Sequence, residues 1–240
     1  MSLLSLFQNG KKHFAVLIDP DDVNVSGLDT IIRLASGNGV SFIFVGGSLL
    51  TGNNFESTIE YLKDRCDIPV IIFPGDTYQV SSKADGILLL SLISGRNADL
   101  LIGKHVLAAP GIKKSGLEVL PTGYMLIDSG KQTTASYMSN SMPIPNDKDS
   151  IAVATAMAGE LLGMQLIYMD GGSGAEKQIS LSMIRSVKQH IDIPLIVGGG
   201  IKDAKRAKEV LSAGADIIVV GTAVEENPEI ITEIGRVVSI

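Results

Sequence analysis

The chain of 240 residues has one cysteine, three histidines and no tryptophan. With Cys66 as the single thiol and the histidines scattered, neither a disulfide framework nor a zinc cluster can form. The same scarcity points to a reducing, cytoplasmic compartment. Positive charge is in deficit: 20 Lys and Arg against 26 Asp and Glu leave a net charge of −6. That removes the basic field a nucleic-acid-binding protein needs. Long apolar runs are missing too. Nothing approaches the roughly 18 unbroken apolar residues of a membrane span. The short run in MSLLSLF has no basic segment ahead of it and no cleavage site behind it, so a signal peptide is not expected. Contact with a membrane surface is not excluded.

What is abundant is glycine, 26 residues, and an apolar fraction of 45%. Short, continuous apolar runs such as FAVLI, FIFV and DIIVV suit strands covered on both faces, not strands half in water. Strands and helices alternate with a period of roughly thirty residues, which gives eight units. The expected fold is therefore α/β, a (β/α)8 TIM barrel forming a single domain over residues 1–240. Among its helices are expected a short one at Thr77–Ser82 after the third strand and an Ala-rich one at Ser150–Leu162.

Polar and glycine residues gather where the strands end: DPDD, GGS, FPG, DSGK, DGGSG, GGG and GT. In a β/α barrel these ends form one face, and active sites lie there. The stretch Leu195–Ala223 carries two of them. Gly198-Gly199-Gly200 and Gly221-Thr222 each precede a helix start, and bare N–H groups with a positive dipole end suit a phosphate. Gly171-Gly172-Ser173-Gly174 supplies a third set of donors.

The acidic group is Asp19-Pro20-Asp21-Asp22. Asp19 is placed to enter the mouth of the barrel, where hard carboxylate oxygens suit Mg²⁺ and the Ser48 hydroxyl could add a further oxygen. Asp21 and Asp22 read as caps of the first barrel helix. Asp170, at the end of strand six, is the candidate base for a substrate hydroxyl, with Tyr168 on the same side of the strand. No lysine lies inside a strand, which disfavours Schiff-base chemistry. His13, His105, His190 and Cys66 read as structural or surface residues. The long polar segment Asp128–Asp147 reads as a lid or binding loop, with Lys131 and Thr133–Ser141 able to hold a second anion.

Taken together, LIDPD (Leu17–Asp21), VGGS (Val45–Ser48), FPG (Phe73–Gly75), TTASYMSN (Thr133–Asn140), AGELLGM (Ala158–Met164), YMDGGSGA (Tyr168–Ala175), GGGI (Gly198–Ile201) and VVGTA (Val219–Ala223) resemble the geranylgeranylglyceryl phosphate synthase family, which includes the bacterial heptaprenylglyceryl phosphate synthases. GGGI and VVGTA alone recur in many phosphate-binding barrels; their combination with LIDPD, TTASY and the strand-six motif is specific. The resemblance covers essentially the whole chain.

The resemblance implies a modified barrel and a Mg²⁺-dependent prenyltransferase. The 3-hydroxyl of sn-glycerol 1-phosphate would displace diphosphate from an allylic polyprenyl diphosphate. It also implies that Asp19 and Ser48 hold the Mg²⁺. Tyr168, Met169, Asp170, Gly171, Gly172, Ser173, Gly174, Gly199, Gly200, Gly221 and Thr222 would hold glycerol phosphate. It implies a homo-oligomer, dimer or hexamer. The family usually has Glu where this chain has Asp170. Leu17 stands where the heptaprenyl branch places Lys, which favours the branch using geranylgeranyl diphosphate. Apolar strand ends and the helix over Ile151–Leu162 are expected to line a groove for the prenyl chain. A phosphosugar isomerase or lyase on the same barrel, and a non-catalytic phosphate-binding barrel, are the competing readings.

Overall fold

The computed structural model describes residues 2–238. Eight parallel strands pair in sequence order and close, β8 against β1. The elements in chain order are α1 (Leu3–Phe7), β1 (His13–Ile18), α2 (Val25–Gly37), β2 (Phe42–Val45), α3 (Phe55–Lys63), β3 (Val70–Ile72) and β4 (Gly86–Leu92). A π-helical turn (Asp99–Gly103) then leads into α4 (Lys104–Ser115) and β5 (Glu118–Leu126). Beyond these lie α5 (Thr134–Ser139), α6 (Asp149–Leu161), β6 (Leu166–Asp170), α7 (Leu181–Lys188), β7 (Leu195–Gly198), α8 (Ala204–Ala213), β8 (Ile217–Val220), α9 (Thr222–Glu226) and α10 (Ile230–Val238). The expected TIM barrel is therefore present.

Alternation along each strand divides the apolar residues into two cores. Ala15, Leu166, Tyr168, Ile196, Ile217 and Val219 point into the barrel. Phe14, Val16, Ile167, Met169, Leu195, Val197 and Ile218 point out, against the helices. Both sets are buried, which is why the strands read as unbroken apolar runs.

The interior is stoppered at its lower end by α1. Leu3 and Phe7 sit in the inner core, and the N–H groups of Leu3 and Leu4 donate to the Glu118 carboxylate at 2.7 and 2.8 Å. Phe7 stacks on Phe42 with centroids 4.3 Å apart. From there a column of rings climbs through Phe44 and Phe73 to Tyr124 and Tyr168 near the mouth. Six of the eleven Phe and Tyr residues are thus one continuous stack.

Several expected elements are corrected. The helix at Thr77–Ser82 does not form; the chain between β3 and β4 is turns and loop. Side chains there bind neighbouring backbone instead of leaving it to a helix. Gln79, fully buried, accepts from Gly75 N at 2.9 Å, and Asp76 accepts from Thr77 N at 2.6 Å. Strand β5 runs through Pro121, a residue that usually argues against a strand interior. Its carbonyl accepts from Gln165 N, so its missing N–H faces the β6 side at a level where β6 has not yet begun. The N-cap of α2 is Asn24, accepting from Gly27 N at 2.9 Å, not Asp21 or Asp22. The Asp21 carboxylate instead clamps the loop after β2 through Thr51 N and Gly52 N.

Candidate active site

The strand ends enclose a cavity of about 420 Å³ at the mouth of the barrel. Asp19, Ser48, Tyr168, Asp170, Gly172, Ser173, Gly174, Gly199, Gly200, Gly221 and Thr222 all line it. Residues drawn from five strand ends far apart in sequence are thus brought together. Met169 and Gly171 are not among them. Met169 sits one residue from Tyr168 on a strand, so its side chain points outward into the helix-facing core. The Gly171 N–H is spent on Gly198 O at 3.0 Å.

Three backbone turns make the phosphate-sized corner. Gly199 has φ +81°, and a Cβ there would lie 2.7 Å from Gly172 N, so the two turns touch backbone to backbone. Any larger residue would part them. Thr222 and Ser173 join across the same corner by a hydroxyl pair at 2.9 Å. Lys202 also lines this cavity, on the loop entering α8. Lys131 Nζ lies beside Gly174, 3.3 Å from where a Cβ would stand.

Asp170 is buried at the upper end of β6 and accepts from Gly172 N at 2.7 Å and from the Tyr124 hydroxyl through a short contact. Burial pushes its carboxyl above the usual range, while these two donors hold it back. Both Tyr124 and Tyr168 are kept protonated by burial and by the nearby Asp170 charge. The Tyr168 ring is packed into the inner core, its hydroxyl filling the space that a Cβ at Gly198 would take, 2.2 Å away.

On the opposite rim, the Asp19 carboxylate rests against Gly47, where a Cβ would come within 2.4 Å of Oδ2. Its Oδ1 accepts from Asp21 N at 3.0 Å, and its own N–H donates to Glu225 at 3.3 Å. Burial first, and then the charges of Asp22 and Asp21, raise the Asp19 carboxyl; Glu225 is raised by burial and by Asp22 and Asp19. Two half-buried carboxylates that repel each other, beside the Ser48 hydroxyl, offer hard oxygens and unneutralised charge. That donor set fits a Mg²⁺ ion held by one or two carboxylates, water and substrate oxygens. Among the described residues no cluster of three His, Cys, Asp or Glu side chains is arranged as a full metal cage.

A second, apolar cavity of about 170 Å³ adjoins the first along Gly47, Ser48, Leu49, Phe73 and Ala135. It runs over the outer face of β4 and under α4, lined by Ile87, Leu89, Leu92, Leu100, Ala108, Ile112 and Met138. The loop that replaces a helix after β3 forms its near wall through Pro74, Tyr78 and Val80. Tyr124 belongs to this cavity while its hydroxyl reaches Asp170 in the other.

Tyr124, inside an apolar strand, carries no motif that marks it in the sequence. His105 was expected to be structural or on the surface, yet it lines the apolar cavity and bonds Ser91 at 3.1 Å. The helix over Ile151–Leu162 is corrected as well: α6 touches neither cavity. Its Ala152, Ala156 and Gly159 pack on the barrel, while Leu161 and Leu162 face solvent. The polar segment after β5 contains α5, whose Ala135 contacts both cavities. Among the described residues no helix is long and apolar enough to cross a membrane.

The PcrB family profile matches residues 7–238. A geranylgeranylglyceryl phosphate synthase of Spirosoma linguale is 52% identical over 230 residues, covering 96% of this chain and 92% of the relative. One from Chitinophaga pinensis is 54% identical over 229 residues, covering 95% and 91%. Among solved structures, the (S)-3-O-geranylgeranylglyceryl phosphate synthase of Thermoplasma acidophilum, in complex with sn-glycerol-1-phosphate, superimposes with a TM-score of 0.93 at 33% identity. That match covers 99% of this chain and 98% of the other.

Proposed function

The chain belongs to the PcrB family, and on that premise we propose that it joins sn-glycerol 1-phosphate to a geranylgeranyl group through an ether bond. The observation that carries the reading is the Asp170–Tyr124 pair, which stands where a phosphate-cradling cavity meets an apolar one. One reactant is a small phosphate ester, the other a lipid with a diphosphate head. A phosphosugar isomerase would use the first cavity and leave the second without purpose.

The turns at Gly172–Gly174, Gly199–Gly200 and Gly221–Thr222 bind the phosphate of glycerol 1-phosphate and leave its 3-hydroxyl towards Asp170. Asp170, whose carboxyl burial makes more basic while Tyr124 and Gly172 hold it back, accepts the hydroxyl proton. The freed oxygen forms a bond to the allylic carbon as that carbon's bond to diphosphate breaks. The diphosphate leaves with the electron pair. Phe73, Tyr124 and Tyr168, in ring contact with one another, line the cavities at this junction and offer aromatic density to the allylic carbon while it is electron-poor. The apolar walls exclude water that would otherwise trap it.

Asp19 and Ser48 would hold a Mg²⁺ ion at the Gly47 edge, where the two cavities touch. When bound, the ion supplies charge neutralisation for the departing diphosphate. Lys131 and Lys202 stand at the phosphate end and add positive charge there. A homo-oligomer is also proposed, supported by the apolar side chains that α4 and α6 leave in solvent, including Leu107, Leu161 and Leu162.

The test is transfer of radiolabelled glycerol 1-phosphate into butanol-extractable product with C15, C20 and C35 donors. Product formed best with the C20 donor, and lost when Mg²⁺ is chelated, is the expected result. Absence of product with every donor, while phosphate esters still stabilise the fold, would return the phosphosugar reading.

A further inference from the structure

Two loops and helix α5 bring large apolar side chains to one opening. Leu49, Tyr78 and Met138 line the apolar cavity and are nevertheless 48%, 63% and 48% exposed. Tyr137 and Met142, on the same segment as Met138, are 70% and 89% exposed. Single exposed apolar residues are ordinary, but three at one apolar cavity, with two more on the segment that carries Met138, mark an interaction surface.

The segment carrying three of them is rigidly presented. Helix α5 opens with a capping box between Thr133 and Ser136 and ends at Asn140 in the left-handed region, φ 48°. The Asn97 side chain ties it to the loop after β4 by donating to Ser139 O at 3.0 Å. The outward display of Tyr137 and Met138 is therefore built by the fold.

We propose that this rim docks on the surface of a lipid bilayer, so that a prenyl donor passes from membrane to cavity without crossing water. The inference rests on the reading of the apolar cavity as the prenyl site. A second copy of the chain is a poorer occupant, because it would seal the opening through which the donor enters. The contact is apolar, not electrostatic. The charged groups at the rim, Lys104 and Asp76, neutralise each other at 3.0 Å. The acidic residues Asp19, Asp22, Glu225 and Glu226 lie in the other cavity, and the net charge is −6, so anionic lipid offers no attraction. Amphipathic tyrosine rings and methionine thioethers suit the interfacial layer of neutral lipid.

The test is flotation of the full chain with phosphatidylcholine vesicles, at low salt and at about 0.5 M salt, where exposed charges are screened. The wild type is expected to float equally in both. A Tyr137→Ser/Met142→Ser variant changes two exposed residues that line neither cavity. It is expected to partition about tenfold less, as loss of inserted apolar area requires. Its turnover of a short, water-soluble C10 donor should stay within about twofold of wild type, while turnover of vesicle-embedded C20 donor falls several-fold. Equal flotation of variant and wild type, or no flotation of either, overturns the proposal. So does a fall in the mass of the variant by light scattering, which would make the rim a contact between copies. Flotation lost in the variant with no turnover of any donor would sink the prenyl reading and leave the docking surface standing.

Discussion

At the scale of single residues, Asp170 carries opposite consequences for activity and for stability. Asp170→Asn removes the proposed proton acceptor, and kcat should fall by about 10²–10⁴-fold with the KM for glycerol phosphate little changed. The same substitution should raise Tm at neutral pH. Because burial raises the folded-state pKa of Asp170, its contribution to stability is present below the unfolded carboxylate range and is lost as pH rises through the folded value. Melting curves at acid and neutral pH check this, since the variant's advantage should vanish in acid. Tyr124→Phe tests the partner. Its hydroxyl is one of the two donors that lower the Asp170 pKa, so the acid limb of the pH–rate profile should move to higher pH, with kcat reduced about tenfold. An unshifted limb would mean that Tyr124 only fills space. At this scale the gathering of Asp19, Ser48, Asp170 and the glycine turns at one cavity was legible, because strand-end motifs converge on one face of a barrel. Tyr124 was not, since a tyrosine inside an apolar strand looks like core until its register with Tyr168 is known.

Between residues and the whole lie the elements. The phosphate corner depends on two turns in backbone contact, and Gly199→Ala would force both a strained φ and a clash at 2.7 Å. Titration with glycerol phosphate, followed by thermal shift, should show affinity reduced at least about tenfold, together with about 1–3 kcal/mol lost from the fold. Helix α1 is predicted to be part of the core despite its five residues. Phe7→Ala should cost about 3–5 kcal/mol by chemical denaturation, because the stoppered interior has no side chain free to fill the gap. A near-neutral result would show the stopper to be dispensable. Six of the helices expected between strands could be read from apolar spacing. The absent one after β3 could not, because PGDTYQVSS has the length of a helical turn, and only the inward rotation of Gln79 shows where its backbone bonds go. The role of α6 was misread for a related reason. An Ala-rich helix signals close packing, and the spacing alone does not say against what.

For the molecule as a whole, the closed eight-stranded order was legible from strand count, whereas the apolar cavity lies between β4, α4 and the loop that stands in place of a helix after β3, which no local pattern encodes. The solvent-facing apolar residues of α4 and α6 lead to a prediction at this scale. Leu161→Asp/Leu162→Asp should reduce the mass seen by light scattering to that of one chain, without moving the apolar cavity or its turnover of soluble donor.

The shared border of the two cavities has a kinetic consequence. On the proposed reaction, each ligand is held by one cavity alone before the bond forms. The new ether bond turns them into a single molecule gripped at both ends, a bivalent ligand that gives up the freedom of one body for the contacts of two. Dissociation of that product, not bond formation, is then expected to govern the steady rate. Rapid mixing should reveal a burst approaching one product per chain, followed by slow turnover. Vesicles able to accept the tail should quicken the slow phase and leave the burst unchanged.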